Sequence, residues 1–277
     1  MVIKMIKRIY NHNLRVLIKI ILLKVFVLII LFLVRPPTTM IADVEMYYNL
    51  TKNPTETFKP PGTPIEKIGL YSPNAFKPPG WVLFLYPFYL IYPNWVFWGL
   101  LFSFIFSTFA LYLLSLISNE KTMWLLFFYP YFLYHSNFPL EVSILSFLIT
   151  LSFYFLKKKR IFFSNLICNI SGFFRPEGIL VSFYVLLKKI NIKNVLIFGI
   201  TTFLAFYVYA YSFIFLNSHF NPPLVSYPRY FIPFLIPLLI DYRNFFTKHF
   251  WKVLTLWFIF GLTLGYFKVF YEWNVLS

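Results

Sequence analysis

The sequence predicts an all-α fold, a polytopic bundle of transmembrane helices with about eight or nine apolar segments. Two features of the composition lead to this class. Hydrophobic residues make up 60% of the 277 positions and charged residues only 12%, and the mean hydropathy is +0.71. Because soluble domains carry about 25% charged residues, this composition excludes a soluble globular protein.

The charges are strongly unbalanced, with 25 Lys and Arg against nine Asp and Glu and a formal net charge of +16. The basic residues cluster in short breaks between apolar runs, as the positive-inside rule describes for cytoplasmic loops. They form no continuous face, so nucleic acid is not a predicted partner. Cys168 is the single cysteine, which excludes an intramolecular disulfide and a metal site made of cysteines.

A single integral membrane domain is predicted for residues 1–277. The first span is expected to be a retained anchor, because Arg35-Pro36-Pro37 follows it where a signal peptide would have a small-residue cleavage site. Lys19 and Lys24 lie in the inner half of this span, and both are predicted to snorkel to the cytoplasmic headgroups. The parts are a basic cytoplasmic N-terminus at 1–15, the first span at 16–34, an outer loop at 35–80, a helical bundle at 81–270 and a tail at 271–277.

Basic breaks fix the predicted topology of the bundle. An apolar stretch between two cytoplasmic breaks must cross outward and return, so its polar, proline-bearing middle is an outer apex. Such apices are predicted at 135–139 and at 175–178. The second hairpin, 161–187, has arms of about 14 and 10 residues, short of the ~20 that a helical span needs, so Arg175 and Glu177 are expected to face a cleft. The breaks are Glu120-Lys121, 157–160, 188–193 and 243–252.

The remaining apolar stretches vary in length. Residues 94–118 are long enough for a full span, whereas residues 81–93 are short and bounded by prolines, which predicts a re-entrant or steeply tilted segment. Three further stretches complete the bundle, and the middle one is expected to be kinked by its prolines. They are 194–216, 229–240 and 253–270.

The outer loop at 35–80 holds four of the nine acidic residues, among them Asp43 and Glu45. Carboxylates so close to a membrane span are functional candidates by default, because an unpaired charge there is costly. Asp43 could instead cap a short interfacial helix that follows it and contains Tyr47. If the backbone is extended, Asp43 and Glu45 lie on one side and could hold a divalent cation. If it is helical, they diverge and one could act as a base.

Four further polar residues are candidates at the predicted outer side. Glu141 follows the first apex at a helix start, where it could also simply complement the helix dipole. His135 is either catalytic or an ordinary polar group of a loop. Arg175 and Arg229 suit phosphate through their fork of donors. An internal ion pair between Arg175 and Glu177 is the competing interpretation.

The order of these short motifs resembles the GT-C superfamily of integral membrane glycosyltransferases, and within it the GPI-type mannosyltransferase branch. A basic first span precedes an Asp-x-Glu motif in an outer loop that begins with a Pro-Pro element. Aromatic and proline-rich, Glu-bearing, Arg-Gly-bearing and Arg-Tyr elements then follow in the order of that family. They are Asn74 to Trp81, Asn137 to Glu141, Gly172 to Gly178, and Tyr227 to Tyr230 with Pro233.

The resemblance implies inverting transfer of a sugar from a polyprenyl-phosphate donor to a lipid, glycan or protein acceptor on the outer or luminal face. Asp43 would be the base, and Glu45 would orient the acceptor or help bind a divalent metal, Mg²⁺ or Mn²⁺. The residues implied at the donor phosphate are Arg175, Arg229 and Lys77, and those implied at the substrate are Glu141, His135, Glu177 and Tyr47. Membrane lipids are the remaining expected partner.

Two other classes stay open beside the enzyme. A small transporter would carry ionisable residues within its spans and often an inverted repeat, whereas the acids here gather mainly in one outer loop. A non-catalytic scaffold of a membrane complex would keep degenerate motifs without activity. Substitution of Asp43 separates these possibilities from a glycosyltransferase.

Overall fold

The computed structural model describes residues 2–34, 42–52, 54, 79–175, 177–188, 190, 192–196, 198–200, 202–203 and 232–260. At 2–12, 42–46 and 79 the description covers the backbone alone. Every regular element within these ranges is helical, which confirms the all-α prediction. Arg229 and Lys77 lie outside the described residues.

Twelve helices are bounded within those ranges, and residues 192–196, 198–200 and 202–203 are helical as well. Two of them contain stretches long and apolar enough to cross a membrane, at Asn13–Leu33 and Trp95–Ile117. The helices are α1 Val2–Val34, α2 Ala42–Lys52, α3 Pro79–Ile91, α4 Trp95–Ile117, α5 Glu120–Phe128, α6 Pro130–His135, α7 Val142–Lys157, α8 Ile161–Phe174, α9 Glu177–Lys188, α10 Ile232–Asp241, α11 Arg243–Lys248 and α12 Phe250–Phe260.

The central helix α4 begins and ends within one residue of the predicted span. Asn94 caps it, since its side chain accepts a hydrogen bond from the backbone N–H of Phe97 at 3.0 Å. Small residues at Gly99, Ser103 and Ser107 form part of its buried stripe. Such residues let neighbouring helices approach closely, and helix α7 packs along this side.

Contacts at both ends show that α7 runs parallel to the second half of α4. The ammonium of Lys157 donates to the carbonyl of Ile117 at 2.9 Å, at the end of both helices. At the start of α7, the hydroxyl of Ser103 donates to the carbonyl of Leu140 at 3.4 Å. Ser103 lies in the first half of α4, so the turn before α7 reaches only partway along the long helix.

The basic breaks meet at one end of the bundle. Besides the contact of Lys157 with α4, the side chain of Asn119 donates to the hydroxyl of Thr247 at 3.0 Å. Lys188 forms an ion pair with Asp241 at 3.1 Å, and Asp241 also accepts a hydrogen bond from Tyr184. These contacts bring the four breaks close together in space.

One prediction about the first span is wrong. Lys19 is exposed, but Lys24 is fully buried in the bundle and does not snorkel. Its ammonium donates to the side-chain oxygen of Asn137 at 3.1 Å. The physical reason is that a buried hydrogen-bond acceptor from the first predicted apex is within reach, so the cation packs inward.

Candidate active site

The first predicted apex, 135–139, lies largely in a buried turn at residues 136–141, which we call the apex loop. Trp81 of α3 donates through Nε1 to the carbonyl of Pro139 at 3.2 Å. Gly99 of α4 leaves the space that Pro139 fills, since a Cβ on Gly99 would overlap the Pro139 ring and lie 3.1 Å from its Cα. The hydroxyl of Ser107, which donates to the carbonyl of Ser103, also lies 3.4 Å from the carbonyl oxygen of Ser136. These contacts clamp the loop between α3 and α4.

Glu141 is the last residue of the apex loop and directly precedes α7. Its carbonyl begins the helix by accepting from the N–H of Leu145 at 3.0 Å, but its side chain makes no capping hydrogen bond. The carboxylate instead accepts from Nη1 of Arg175 at 3.0 Å through Oε1. Glu141 is therefore placed at the helix start, as predicted, and its charge is paired across the bundle.

Arg175 lies at the second predicted apex, between α8 and α9. Its backbone is extended, with φ −158° and ψ 138°, which ends α8. The guanidinium forks onto Glu177, with Nε to Oε2 at 3.3 Å and Nη2 to Oε1 at 2.9 Å. The internal ion pair considered for Arg175 and Glu177 is thus present, and Glu141 extends it to a triad. We call Glu141, Arg175 and Glu177 the ion triad.

The ion triad is buried and carries an excess of negative charge. Side chains of Arg175, Glu141 and Glu177 are 6%, 8% and 14% exposed. One guanidinium, which stays protonated at physiological pH, faces two carboxylates. The second oxygen of Glu141, Oε2, is buried and has no hydrogen-bond partner among the described residues. A buried carboxylate oxygen is stabilised by a hydrogen-bond donor.

Helix α2 brings the Asp-x-Glu segment toward the ion triad. Tyr47 is fully buried, and its phenol is close enough to Arg175 to interact electrostatically. Position 43 lies four residues before Tyr47, on the same helical face, because four residues make about 400° of rotation. Position 45 lies about 200° away from position 43. The backbone register therefore places Asp43, and not Glu45, on the Tyr47 face of α2.

Two predictions about Asp43 are settled by this helix. The helix begins at Ala42, one residue before Asp43, so Asp43 lies in the first turn and the capping interpretation is wrong. The extended alternative, in which Asp43 and Glu45 share one side, is also excluded, because the backbone from 42 to 52 is helical. What remains of the alternatives is a pair of residues that diverge on a helix, and the role of one of them as a base stays a prediction.

His135 lies at the other end of the apex loop, as the last residue of α6. It is 9% exposed, and its ring stacks on Tyr131 with centroids 6.0 Å apart and packs edge-on against Tyr134 at 5.2 Å. These contacts are those of an aromatic cluster. Its role at the substrate stays a prediction.

The described His, Cys, Asp and Glu side chains form no group of three or more that could hold a metal ion. The side chains of Asp43 and Glu45 lie outside that description. Of the predicted site residues, the structure brings together Glu141, Arg175, Glu177 and Tyr47.

Sequence reasoning missed the residues that hold the apex loop. Lys24 carries the signal that could have identified one of them, because an ionisable side chain within an apolar span is a functional candidate by default. Gly99 and Trp81 give no such signal. Their role depends on which turn packs against α3 and α4.

No family model, curated protein or solved structure matches the chain.

Proposed function

We propose that the chain is a polytopic membrane glycosyltransferase, mannosyltransferase-like and of the GT-C type. It moves a sugar from a polyprenyl-phosphate donor to an acceptor hydroxyl on the outer or luminal face of the membrane, with inversion. Helices α1 and α4 cross the membrane, and the shorter hairpins α6–α7 and α8–α9 cross it partway. The N-terminus and the basic end of the bundle are cytoplasmic, which follows from the positive-inside rule.

The observation that carries the proposal is the state of Glu141. Arg175 holds one carboxylate oxygen at 3.0 Å, while the second oxygen is buried with no partner among the described residues. A carboxylate only accepts hydrogen bonds, and a sugar hydroxyl donates one. An oriented, partly satisfied carboxylate at a turn that reaches only partway along α4 therefore suits a sugar that enters from the membrane.

Asp43 is the base in this mechanism. As the acceptor oxygen attacks the anomeric carbon, Asp43 takes the proton of the acceptor hydroxyl, and the bond from that carbon to the lipid phosphate breaks on the opposite face. The polyprenyl phosphate leaves with the electron pair of the broken bond. Support for this role comes from the register of α2, which places position 43 on the same helical face as Tyr47. The Tyr47 phenol in turn interacts electrostatically with Arg175. Glu45, about 200° away from position 43 on α2, is given no part in the reaction in this proposal.

The roles of the basic residues are revised by the ion triad. Three of the five N–H groups of Arg175 donate to Glu141 and Glu177. We therefore assign Arg175 the task of holding these carboxylates in place. Positive charge at the departing phosphate, which stabilises the transition state, comes in this proposal from Arg229 and Lys77.

Asp43→Asn tests the proposal. Membranes that contain the variant are assayed for transfer of radiolabelled mannose from a polyprenyl-phosphate donor, with expression measured in parallel. Loss of the base is expected to lower the transfer rate about 10²- to 10⁴-fold. Glu45→Gln is the matched control and is expected to keep most of the activity. If Asp43→Asn is expressed normally and transfers at the wild-type rate, the catalytic assignment fails.

Glu141→Gln tests the substrate contact separately. The amide keeps the shape of the side chain and an oxygen for Arg175, but it replaces one acceptor by a donor. We expect a lower kcat/KM with normal expression. Wild-type kinetics of Glu141→Gln would contradict the role of Oε2.

A further inference from the structure

A second buried cation lies beside the apex loop and is not used in the mechanism above. Lys24 is within one residue of the midpoint of the apolar stretch Asn13–Leu33, and it is fully buried. Its ammonium donates to the side-chain oxygen of Asn137 at 3.1 Å and lies 5.5 Å from the ring centroid of Phe104. Burial in a long apolar helix makes this cation costly unless it has a role.

Asn137 is arranged to receive that cation. Its amide nitrogen donates to the carbonyl of Leu133 at 2.5 Å, near the end of α6, and its backbone N–H donates to the carbonyl of Tyr134 at 3.1 Å. The remaining side-chain oxygen points to Lys24. One asparagine thus joins α1 to the beginning of the apex loop.

The same loop ends four residues later at Glu141. The Cα atoms of Asn137 and Glu141 are at most about 14 Å apart, which is the length of four extended residues. No carboxylate among the described side chains forms an ion pair with Lys24.

We propose that Lys24 is a positioning residue that anchors the apex loop to α1 and so holds Glu141 in register with Arg175. Its ammonium fixes Asn137, Asn137 fixes the first half of the loop, and the clamp at Pro139 transmits that position to Glu141. The consequence for sugar transfer rests on the proposed function. The anchoring of the loop is a property of the fold and can be measured by itself.

A cysteine reporter measures the anchoring without any assay of activity. Cys168 is replaced by Ser, and Ser143 by Cys, in the otherwise complete chain. Ser143 is fully buried in the first turn of α7, and its hydroxyl donates to the carbonyl of Ser136 across the apex loop at 3.4 Å. Labelling by N-ethylmaleimide in membranes then reports the opening of the loop. We expect Lys24→Met to raise the labelling rate about tenfold or more.

Two controls make the result specific. Lys19→Met removes an exposed lysine of the same helix and is expected to leave labelling unchanged. A second reporter, Ser152→Cys, is placed in the second half of α7, far from the apex loop. Ser152 is fully buried there, and its hydroxyl donates to the carbonyl of Ser164 at 2.7 Å. Under Lys24→Met it is expected to stay protected. Equal labelling at both reporters would mean general unfolding and would overturn the proposal.

Asn137→Ala covers the case in which Lys24→Met fails to fold, because it keeps the lysine and removes its partner. It is expected to expose Ser143→Cys in the same way, and a protected reporter in both variants overturns the anchoring role.

Sugar transfer is measured on the same membranes, and a drop of about tenfold is expected from misplacement of Glu141. If the reporter opens while even the unmutated chain transfers no sugar, the anchor stands and the proposed function fails. If the unmutated chain transfers sugar and Lys24→Met transfers equally, the anchoring has no role in the reaction and the inference is overturned.

Discussion

Arg175 donates through Nη1 to Oε1 of Glu141 at 3.0 Å, across 34 positions of the sequence. The bond joins the turn of hairpin α6–α7 to the turn of hairpin α8–α9. Neither turn can move along the bundle without breaking this hydrogen bond. Because Arg175 also forks onto Glu177 two residues later, one guanidinium determines both the local shape of its own turn and the distance to the other.

Arg175→Met is expected to destabilise the protein by about 3–5 kcal/mol, because it leaves two buried carboxylates without their shared cation. The free energy of unfolding is measured by denaturant titration in detergent. Lys188→Met is the matched control. The ammonium–carboxylate pair of Lys188 and Asp241 has a similar length, 3.1 Å, but the Lys188 side chain is 42% exposed, so its loss should cost no more than about 1 kcal/mol.

Removing a carboxylate together with the guanidinium should recover part of that loss. Arg175→Met with Glu177→Gln leaves one buried charge unpaired where Arg175→Met leaves two. The double variant is therefore expected to be more stable than Arg175→Met alone, with a coupling of about 0.5–3 kcal/mol. Strict additivity of the two substitutions would contradict an ion triad.

Trp81→Phe removes the N–H that clamps the apex loop. The carbonyl of Pro139, which accepts from Nε1 at 3.2 Å, is left buried without this donor, while the stacking on Phe84 can persist. A loss of about 1–3 kcal/mol is expected in the free energy of unfolding. Trp98→Phe is the control, since its Nε1 donates at 3.0 Å to the carbonyl of Tyr92, an exposed residue. Equal losses would argue against a special role of the buried clamp.

The turns of the hairpins could be predicted from the sequence because prolines and polar residues interrupt apolar runs there. The possible pairing of Arg175 with Glu177 followed from their separation of two positions. The bond to Glu141 could not be predicted, because it depends on how far each hairpin reaches into the bundle. The position of the Lys24 side chain could not be predicted for the same reason. Its distance from the cytoplasmic end suggested snorkelling, whereas its position is decided by Asn137, 113 residues away.

Local patterns also left the backbone at Asp43 undecided. An aspartate before an amphipathic run fits a cap as well as a first turn, and the two differ by a single residue. Which face of α2 meets the bundle is decided by the packing of Tyr47 near Arg175. Asp43 and Glu45 form one motif in the sequence. The helical backbone places position 43 on the Tyr47 face of α2 and position 45 about 200° away from position 43.

Gly99→Ala should show how closely the apex loop fits against α4. An alanine normally favours a helix over glycine by about 1 kcal/mol. At Gly99, however, the added Cβ would overlap the ring of Pro139 and lie 3.1 Å from its backbone Cα, so either the loop or α4 must move. We expect a net loss of about 1–3 kcal/mol in the free energy of unfolding, together with lower sugar transfer because Glu141 follows Pro139 by two residues. Gly199→Ala is the matched control, a helical glycine whose Cβ would meet no atom of the described residues within 4 Å, and it should be neutral or slightly stabilising. If both substitutions stabilise the protein, the loop does not pack against α4 as closely as the structure places it, and the position of Glu141 has to be revised with it.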